Sequence, residues 1–230
     1  MRPLPSTTPD PAAFRSASPF ETPAHGAVEF DDRTLLSLLM ARTMAQRDIG
    51  GAAEALLEVF GSAAAVVAAE PCELARVAPL GATTITDLKL LRRLSVRLAR
   101  SEACRRPVLS SWSALLDYVR AALAHEPREQ FRTLYLDRKN LLLRDEFRAE
   151  GTVDHAPVYP REVVRRALEL SASALILVHN HPSGDPSPSR ADIEMTRQIV
   201  DAARVFNLQV HDHLVIGRQG TASFKQLGLI

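Results

Sequence analysis

Two histidines separated by one residue stand directly after a continuous apolar run, ALILV, in this sequence. In extended backbone, side chains two positions apart leave the same face, so the imidazoles of His179 and His181 can converge on one ion. Catalytic zinc sites take three nitrogen or oxygen ligands and leave the fourth position to water. A carboxylate from a neighbouring element can complete such a set, and Asp192, in the first turn of the next predicted helix, is the nearest candidate.

The same carboxylate has a plainer interpretation. Ser189 and Asp192 have the spacing of a capping box, in which each residue satisfies a backbone N–H of the other at a helix start. A single buried histidine is likewise more often a hydrogen-bonded core residue than a ligand. The two roles of Asp192 are compatible, because an aspartate at this position directs its carboxylate off the helix end. The paired histidines also end a strand beside a Pro/Gly/Ser loop, where α/β folds usually place their sites.

A second histidine pair, His211 and His213, lies on alternating positions of a later predicted strand. It is a rival metal site by the same spacing argument. The alternatives for His213 are a contact behind the metal ligands and an ordinary satisfied strand residue.

The hydrophobic pattern divides the chain into a helical region and a region of alternating helices and strands, and the second contains the histidines. From residue 29 to 106, apolar residues recur at helical spacing, with Leu88, Leu91, Leu94 and Leu98 along one face of the last helix. From residue 107 to 230, helices alternate with strands: an amphipathic helix from Trp112, strands at 131–136 and 141–147, and a helix opened by Pro160. The buried run at 174–178 follows, then a helix with Ile193, Thr196, Val200 and Ala203 inward, and a strand at 209–216.

Composition narrows the function classes. The 230 residues carry a net charge of +1, so a polyanion-binding function must rest on a local patch. Two cysteines without a Cys-x-x-Cys pattern exclude a disulfide framework and a cysteine-rich zinc module. No stretch is long and apolar enough for a membrane span. Residues 1–28, rich in proline and lacking an apolar core, predict a disordered tail and no secretory signal, and hence a cytoplasmic protein.

The motif carries a resemblance. His179, His181, Pro182, Ser189 and Asp192 fill the pattern His-x-His-Pro-x6-Ser-x-x-Asp, which matches the JAMM motif of the JAB/MPN metallopeptidases. The longer string HNHPSGDPSPSRADIEMT, with GTVDHAPVYPREVVRRALEL before it and DHLVIG after it, resembles the RadC family in particular, over residues 30 to 230. This resemblance implies an α/β class, a cytidine-deaminase-like α/β/α domain with a mixed sheet, and one bound zinc ion.

The resemblance also implies roles for single residues. His179, His181 and Asp192 would hold the zinc ion, which lowers the pKa of bound water. The motif requires an upstream glutamate, and Glu129 is the matching position in preference to Glu126; it would take the proton of the water and pass it to the leaving amine. Ser189 would donate a hydrogen bond to the developing oxyanion. The implied reaction is hydrolysis of an amide or isopeptide bond in a peptide or protein.

RadC-like proteins begin with a region that resembles helix-hairpin-helix DNA-binding modules. The equivalent stretch, residues 78–85, keeps Gly81 but lacks the second glycine of the hairpin that presents backbone amides to phosphate. We therefore expect a degenerate phosphate-binding hairpin and weak DNA binding. Any such binding would come from Arg92, Arg93, Arg97 and Arg100 on the basic helix that follows, although a solvated face is the plainer interpretation. The competing hypothesis is a DNA-associated protein whose metal domain is structural or vestigial. Nucleobase deamination shares the fold but needs cysteine ligands that this chain lacks.

Overall fold

The computed structural model describes residues 30–44, 49–150 and 158–230, with side chains omitted at 148–150. The predicted tail at residues 1–28 lies outside the described residues. The chain divides into two compact units, residues 1–92 and 93–230. The predicted domain boundary near Pro107 stays a prediction. Within the described ranges, no helix is both long and apolar enough to cross a membrane.

The first unit is helical, as the periodicity predicts. Its helices are α1 (Asp32–Met40), α2 (Ile49–Phe60), α3 (Ala63–Ala68), α4 (Pro71–Val77) and the first half of α5 (Ala82–Arg105). Local signals start them: the side chains of Asp31 and Ser62 accept N–H hydrogen bonds at the starts of α1 and α3. The helices pack around one core: Leu36, Met40, Ile49, Ala52, Ala53, Leu56, Val66, Ala69, Leu74, Ala78 and Leu88.

The leucine face of α5 is buried only near the start of the helix. Leu88 is buried, but Leu91, Leu94 and Leu98 are exposed. The second half of α5 contributes Ala103 and partly buried alanine and valine side chains to the core of the second unit instead. A leucine stripe shows where a helix is apolar, but not which of its faces the rest of the chain covers.

Two basic residues of α5 serve the helical unit itself. Lys89 donates to the carbonyls of Val67 and Ala69, and Arg92 donates to the carbonyl of Ala68 at 3.0 Å. Cations at a helix C-terminus satisfy its unpaired carbonyls and favour its dipole. Arg92, one of the four arginines expected to contact DNA, therefore caps α3.

The second unit is a five-stranded sheet between helices. After a short 3₁₀ helix (Val108–Ser110) come α6 (Trp112–Leu123), β1 (Gln130–Leu136), β2 (Leu142–Glu150), α7 (Pro160–Glu169), β3 (Ala174–Asn180), α8 (Arg190–Val205), β4 (Gln209–Gly217) and β5 (Gly220–Ser223). The strand order is β2-β1-β3-β4-β5. Only the β3–β4 pair is parallel, because α8 carries the chain back across the sheet between them.

Each face of the sheet buries its own core. On one face, α6 packs through Leu115, Val119 and Leu123 against β1, β3 and β4. On the other, α7 and α8 pack against Phe131, Tyr135, Leu175 and Leu177. The predicted α/β/α fold with a mixed sheet, preceded by a helical region, is confirmed.

The inward face of α8 is rotated from the predicted one. Thr196 and Ala203 are buried as expected, but Asp192 and Ile199 complete the buried row, while Ile193 and Val200 are only partly buried. Because the buried row begins at Asp192, the first turn of the helix places a carboxylate at the carboxyl end of the central strand, β3.

Candidate metal centre

The carboxyl end of β3 holds the two histidines of the motif. His179 is fully buried on this central strand. His181 lies just beyond the strand, yet its N–H donates to the carbonyl of Ile216 at 2.9 Å, which continues the ladder with β4. The backbone therefore stays extended long enough for both imidazoles to share a face, as the spacing predicts. The side chain of His181 is 18% exposed, so the site reaches the surface there.

The three predicted ligands converge. Their candidate donor atoms all lie within 4.8 Å of one another. His179 Nε2 is 3.0 Å from His181 Nε2 and 3.4 Å from Asp192 Oδ1, and His181 Nε2 is 3.6 Å from Asp192 Oδ2. Tetrahedral zinc with bonds of about 2.0–2.1 Å spaces its ligand atoms about 3.3 Å apart. Both the donor set and its spacing fit a zinc ion, and no fourth protein ligand joins this cluster among the described residues.

Asp192 completes the capping box and also lies within reach of the two imidazoles. Its Oδ2 accepts from the N–H of Ser189 at 2.7 Å, and its own N–H donates to Ser189 Oγ at 3.2 Å, so the capping box is complete. Burial by itself would raise the pKa of Asp192, but its contacts with the imidazoles of His179 and His181 outweigh burial and hold the pKa far below its usual range. The carboxylate is thus ionised and aimed at the two imidazoles.

His181 is oriented by the loop that follows it. Its Nδ1–H donates to the carbonyl of Asp185 at 2.9 Å, which leaves Nε2 facing the cluster. The hydrogen bond with Asp192 is the main cause that raises the pKa of His181, and the charge of Glu129 adds to it. This imidazole therefore keeps its proton to a higher pH than an ordinary histidine does.

Two glycines let this loop lie against the end of β4. Gly184 has φ +97°, a left-handed conformation that side chains disfavour. A Cβ on Gly217 would come within 2.2 Å of the Gly184 carbonyl oxygen, so no other residue permits this approach without a shift. Arg218 further holds the loop by donating to the carbonyl of Pro182 at 3.0 Å.

Glu129 occupies the position at which the motif requires a glutamate, and its catalytic role stays a prediction. It is half-buried, immediately before β1, and Phe131 two residues later pairs with His179 across the antiparallel β1–β3 ladder. The negative charge of Glu129 contributes to the raised pKa of His181. Glu126, the rejected alternative, accepts instead from the side-chain amide of Gln130 at 2.9 Å.

The residue between the two histidines fixes the segment that carries Glu129. Asn180 is buried and accepts from the N–H of Gln130 at 2.8 Å. Its side-chain amide also donates to the carbonyls of Arg128 at 3.1 Å and Glu126 at 3.3 Å. One side chain therefore joins the backbone on both sides of Glu129 to the strand that carries His179.

Ser189 is exposed at the start of α8. Because its Oγ accepts from the N–H of Asp192, the hydrogen of its hydroxyl group remains able to donate to another group. The predicted role toward an oxyanion stays a prediction.

His213 lies behind His179 and His211 does not. His213 is fully buried between the rings of Phe131 and Phe224, and its Nε2 is 2.8 Å from His179 Nδ1. Burial lowers the pKa of His213 well below its usual range. The rival histidine site does not form, because the β3–β4 register shifts between Val210 and Asp212 and makes His211 a bulge residue. His211 Nε2 instead lies 2.7 Å from Asn140 Oδ1.

Two residues of the site have no signal in the motif. Asn180 points away from the face of the histidines, and only its buried position between them could have suggested a role. Thr196 was expected to face inward on α8, but periodicity does not distinguish a packed methyl group from a hydroxyl that contacts His213.

A mixed sheet with paired histidines at the end of its central strand defines a protein with a JAB-type domain, and the family described as RadC-like JAB domain matches residues 109–229. The chain is also 57% identical over 205 residues to a UPF0758 protein of Rhodobacter capsulatus, covering 89% of this chain and 96% of that protein. The chain therefore belongs to the RadC family.

Proposed function

We propose that this protein is a zinc-dependent hydrolase that cleaves amide or isopeptide bonds in peptide or protein substrates. The observation that carries the proposal is the cluster of two imidazoles and one carboxylate among the described residues, with Glu129 half-buried just before β1, the strand that pairs with the histidine-bearing β3. Structural zinc sites are closed by four protein ligands, whereas catalytic sites use three. The cluster has three among the described residues, and its more exposed member is His181.

When bound, zinc would supply a Lewis acid that polarises a carbonyl oxygen and makes water reactive at neutral pH. The residues of the chain supply the proton transfers. The carboxylate of Glu129 accepts a proton from the attacking water and returns it to the nitrogen of the leaving amine. Asn180 holds the backbone on both sides of Glu129 and so anchors this segment to β3.

Ser189 supports the same reaction. Its hydroxyl hydrogen is free of the capping box and lies at the N-terminus of α8, where backbone dipoles favour negative charge. The side chain would donate to the oxygen that gains charge as the amide carbonyl is attacked.

The decisive experiment compares two neighbouring glutamates. Purified wild-type protein, Glu129→Gln and Glu126→Gln are incubated with a proteome-derived library of peptides and isopeptides, with and without a chelator, and zinc content is measured by mass spectrometry. We expect cleavage by the wild type to require zinc. Glu129→Gln should retain zinc but lose activity by about 10²- to 10⁴-fold, the usual contribution of a general base. Glu126→Gln is the matched control and should keep both.

Full activity of Glu129→Gln would contradict the proposal, and loss of zinc from that variant would make Glu129 a ligand.

We further propose that the protein works in the cytoplasm, because both of its cysteines are exposed and unpaired, as suits a reducing compartment.

A further inference from the structure

A chain of buried hydrogen bonds runs behind His179, away from the candidate metal. His179 Nδ1 lies 2.8 Å from His213 Nε2, and His213 Nδ1 lies 2.6 Å from Thr196 Oγ1. Thr196 Oγ1 in turn donates to the backbone carbonyl of Asp192 at 2.5 Å. The side chains of His179, His213 and Thr196 are all fully buried, so water does not compete for these contacts.

The last acceptor in this row of hydrogen bonds determines the donor and acceptor of every other bond in the row. The carbonyl oxygen of Asp192 can only accept, so the hydroxyl of Thr196 spends its one hydrogen there. Thr196 Oγ1 can then only accept from His213, which places the hydrogen of that ring on Nδ1. A neutral imidazole carries one N–H, and the burial of His213 between Phe131 and Phe224 favours the neutral form. His213 Nε2 must therefore accept from His179 Nδ1–H.

This order leaves only one nitrogen of His179 with a lone pair, and that nitrogen is Nε2. It is also the atom that lies 3.0 Å from His181 Nε2 and 3.4 Å from Asp192 Oδ1. The opposite tautomer would place a hydrogen between the candidate ligands and leave two lone pairs facing each other in a buried site.

We propose that Thr196 and His213 are positioning residues that hold His179 in the Nδ1–H tautomer, so that its Nε2 lone pair is presented to a metal ion. The inference rests on the proposed function only in assigning zinc as that ion. Metal-bound histidines generally donate their second N–H to a carboxylate, carbonyl or water. His181 follows this rule through the carbonyl of Asp185, whereas His179 reaches a carbonyl only through a second imidazole and a hydroxyl.

The row of buried hydrogen bonds also connects His179 with Asp192, two of the three candidate ligands. Thr196 stands four residues after Asp192 on α8, and a threonine hydroxyl commonly bonds the carbonyl one turn earlier. The residue that offers its carboxylate to the metal thus offers its carbonyl to the chain behind His179. A substitution at Thr196 is therefore expected to change the tautomer of His179, although Thr196 does not contact the candidate metal position.

The test uses an isosteric change that removes only the hydroxyl. In Thr196→Val, His213 loses the acceptor for its Nδ1–H and is free to carry the hydrogen on Nε2, where it can no longer accept from His179. ¹⁵N NMR of the histidine rings in metal-free protein should show His179 as the Nδ1–H tautomer in the wild type and as a mixture in the variant. Zinc affinity should fall by about 10- to 100-fold, the range measured when such partners are removed, and Thr196→Ser should restore both properties.

Thr133 provides the matched control. It is also a fully buried threonine, on β1, and its Oγ1 has no hydrogen-bond partner within the described part of the chain. Thr133→Val should leave the His179 tautomer and the zinc affinity unchanged. If Thr196→Val keeps the wild-type tautomer and affinity, the proposal is wrong even if the protein proves to be a zinc hydrolase. If the wild type binds no zinc, the proposed function fails, while the tautomer measured in metal-free protein still decides the inference.

Discussion

Replacing Asn180 by alanine should loosen the join between β3 and the segment that carries Glu129. The variant removes three hydrogen bonds, one accepted from the N–H of Gln130 and two donated to the carbonyls of Arg128 and Glu126. Each such bond contributes about 1 kcal/mol net, so the free energy of unfolding should fall by about 3 kcal/mol. For a chain of this size, that loss lowers Tm by about 6–12 °C.

The single tryptophan gives a suitable assay. Trp112 lies on α6 in the same unit as Asn180, so its fluorescence follows the unfolding of that unit. Amide hydrogen exchange at Gln130 gives a local reading, because its N–H loses its acceptor and should exchange faster. Gln198→Ala is the control, since it removes one hydrogen bond of an exposed amide to Glu194 and should leave Tm nearly unchanged.

The zinc content of Asn180→Ala should match the wild type, because all three candidate ligands remain. Any hydrolytic activity should fall by about 100-fold, the scale expected for a catalytic group displaced by about 1 Å. An unchanged Tm together with unchanged protection at Gln130 would refute the reasoning, because both follow directly from the hydrogen bonds of Asn180.

Three further outcomes are expected. Metal analysis should give close to one zinc per wild-type chain, and Asp192→Ala should lose most of it; full retention would place the site elsewhere. Zinc affinity, measured by competition with a chromophoric chelator, should fall as pH drops through the raised pKa of His181, by about tenfold per pH unit while one proton is displaced; a flat profile between pH 8 and 6 would contradict this. Duplex DNA should bind at best in the non-specific range of about 10⁻⁴–10⁻⁶ M, and Arg93→Glu with Arg97→Glu should abolish that binding; tight binding that survives 200 mM salt would favour a DNA-directed function.

Local patterns were sufficient to predict the cluster of His179, His181 and Asp192. The His179–His181 spacing, the apolar strand before it and the capping box around Asp192 are all short-range features, and each is present in the structure. Glu129 is different, because 50 residues separate it from the histidines by sequence and only the antiparallel β1–β3 pairing brings it near them. No spacing rule contains that pairing, so Glu129 followed from the family resemblance alone.

The inward face of α8 was assigned by periodicity, which identifies an apolar stripe but not the neighbour that covers it. The exposed leucines of α5 illustrate the same limit of periodicity. The bulge at His211 broke the alternation expected along β4, because one extra residue reverses the faces that follow. The short strand β5, with its glycine start, gave no strand pattern strong enough to predict.

The metal-free cluster explains how such a site can exist before metal arrives. Asp192 has its pKa held far below normal and so stays an anion, and that anion raises the pKa of His181. A proton on His181 would then occupy the place of a cation beside Asp192 and offset the charge of its carboxylate. Because the folded pKa of His181 is raised, this stabilisation is complete below its unfolded pKa of about 6.5 and disappears as pH rises through the folded pKa. A divalent cation would take the same electrostatic position as that proton, so the proposed metal binding would displace a proton from one imidazole.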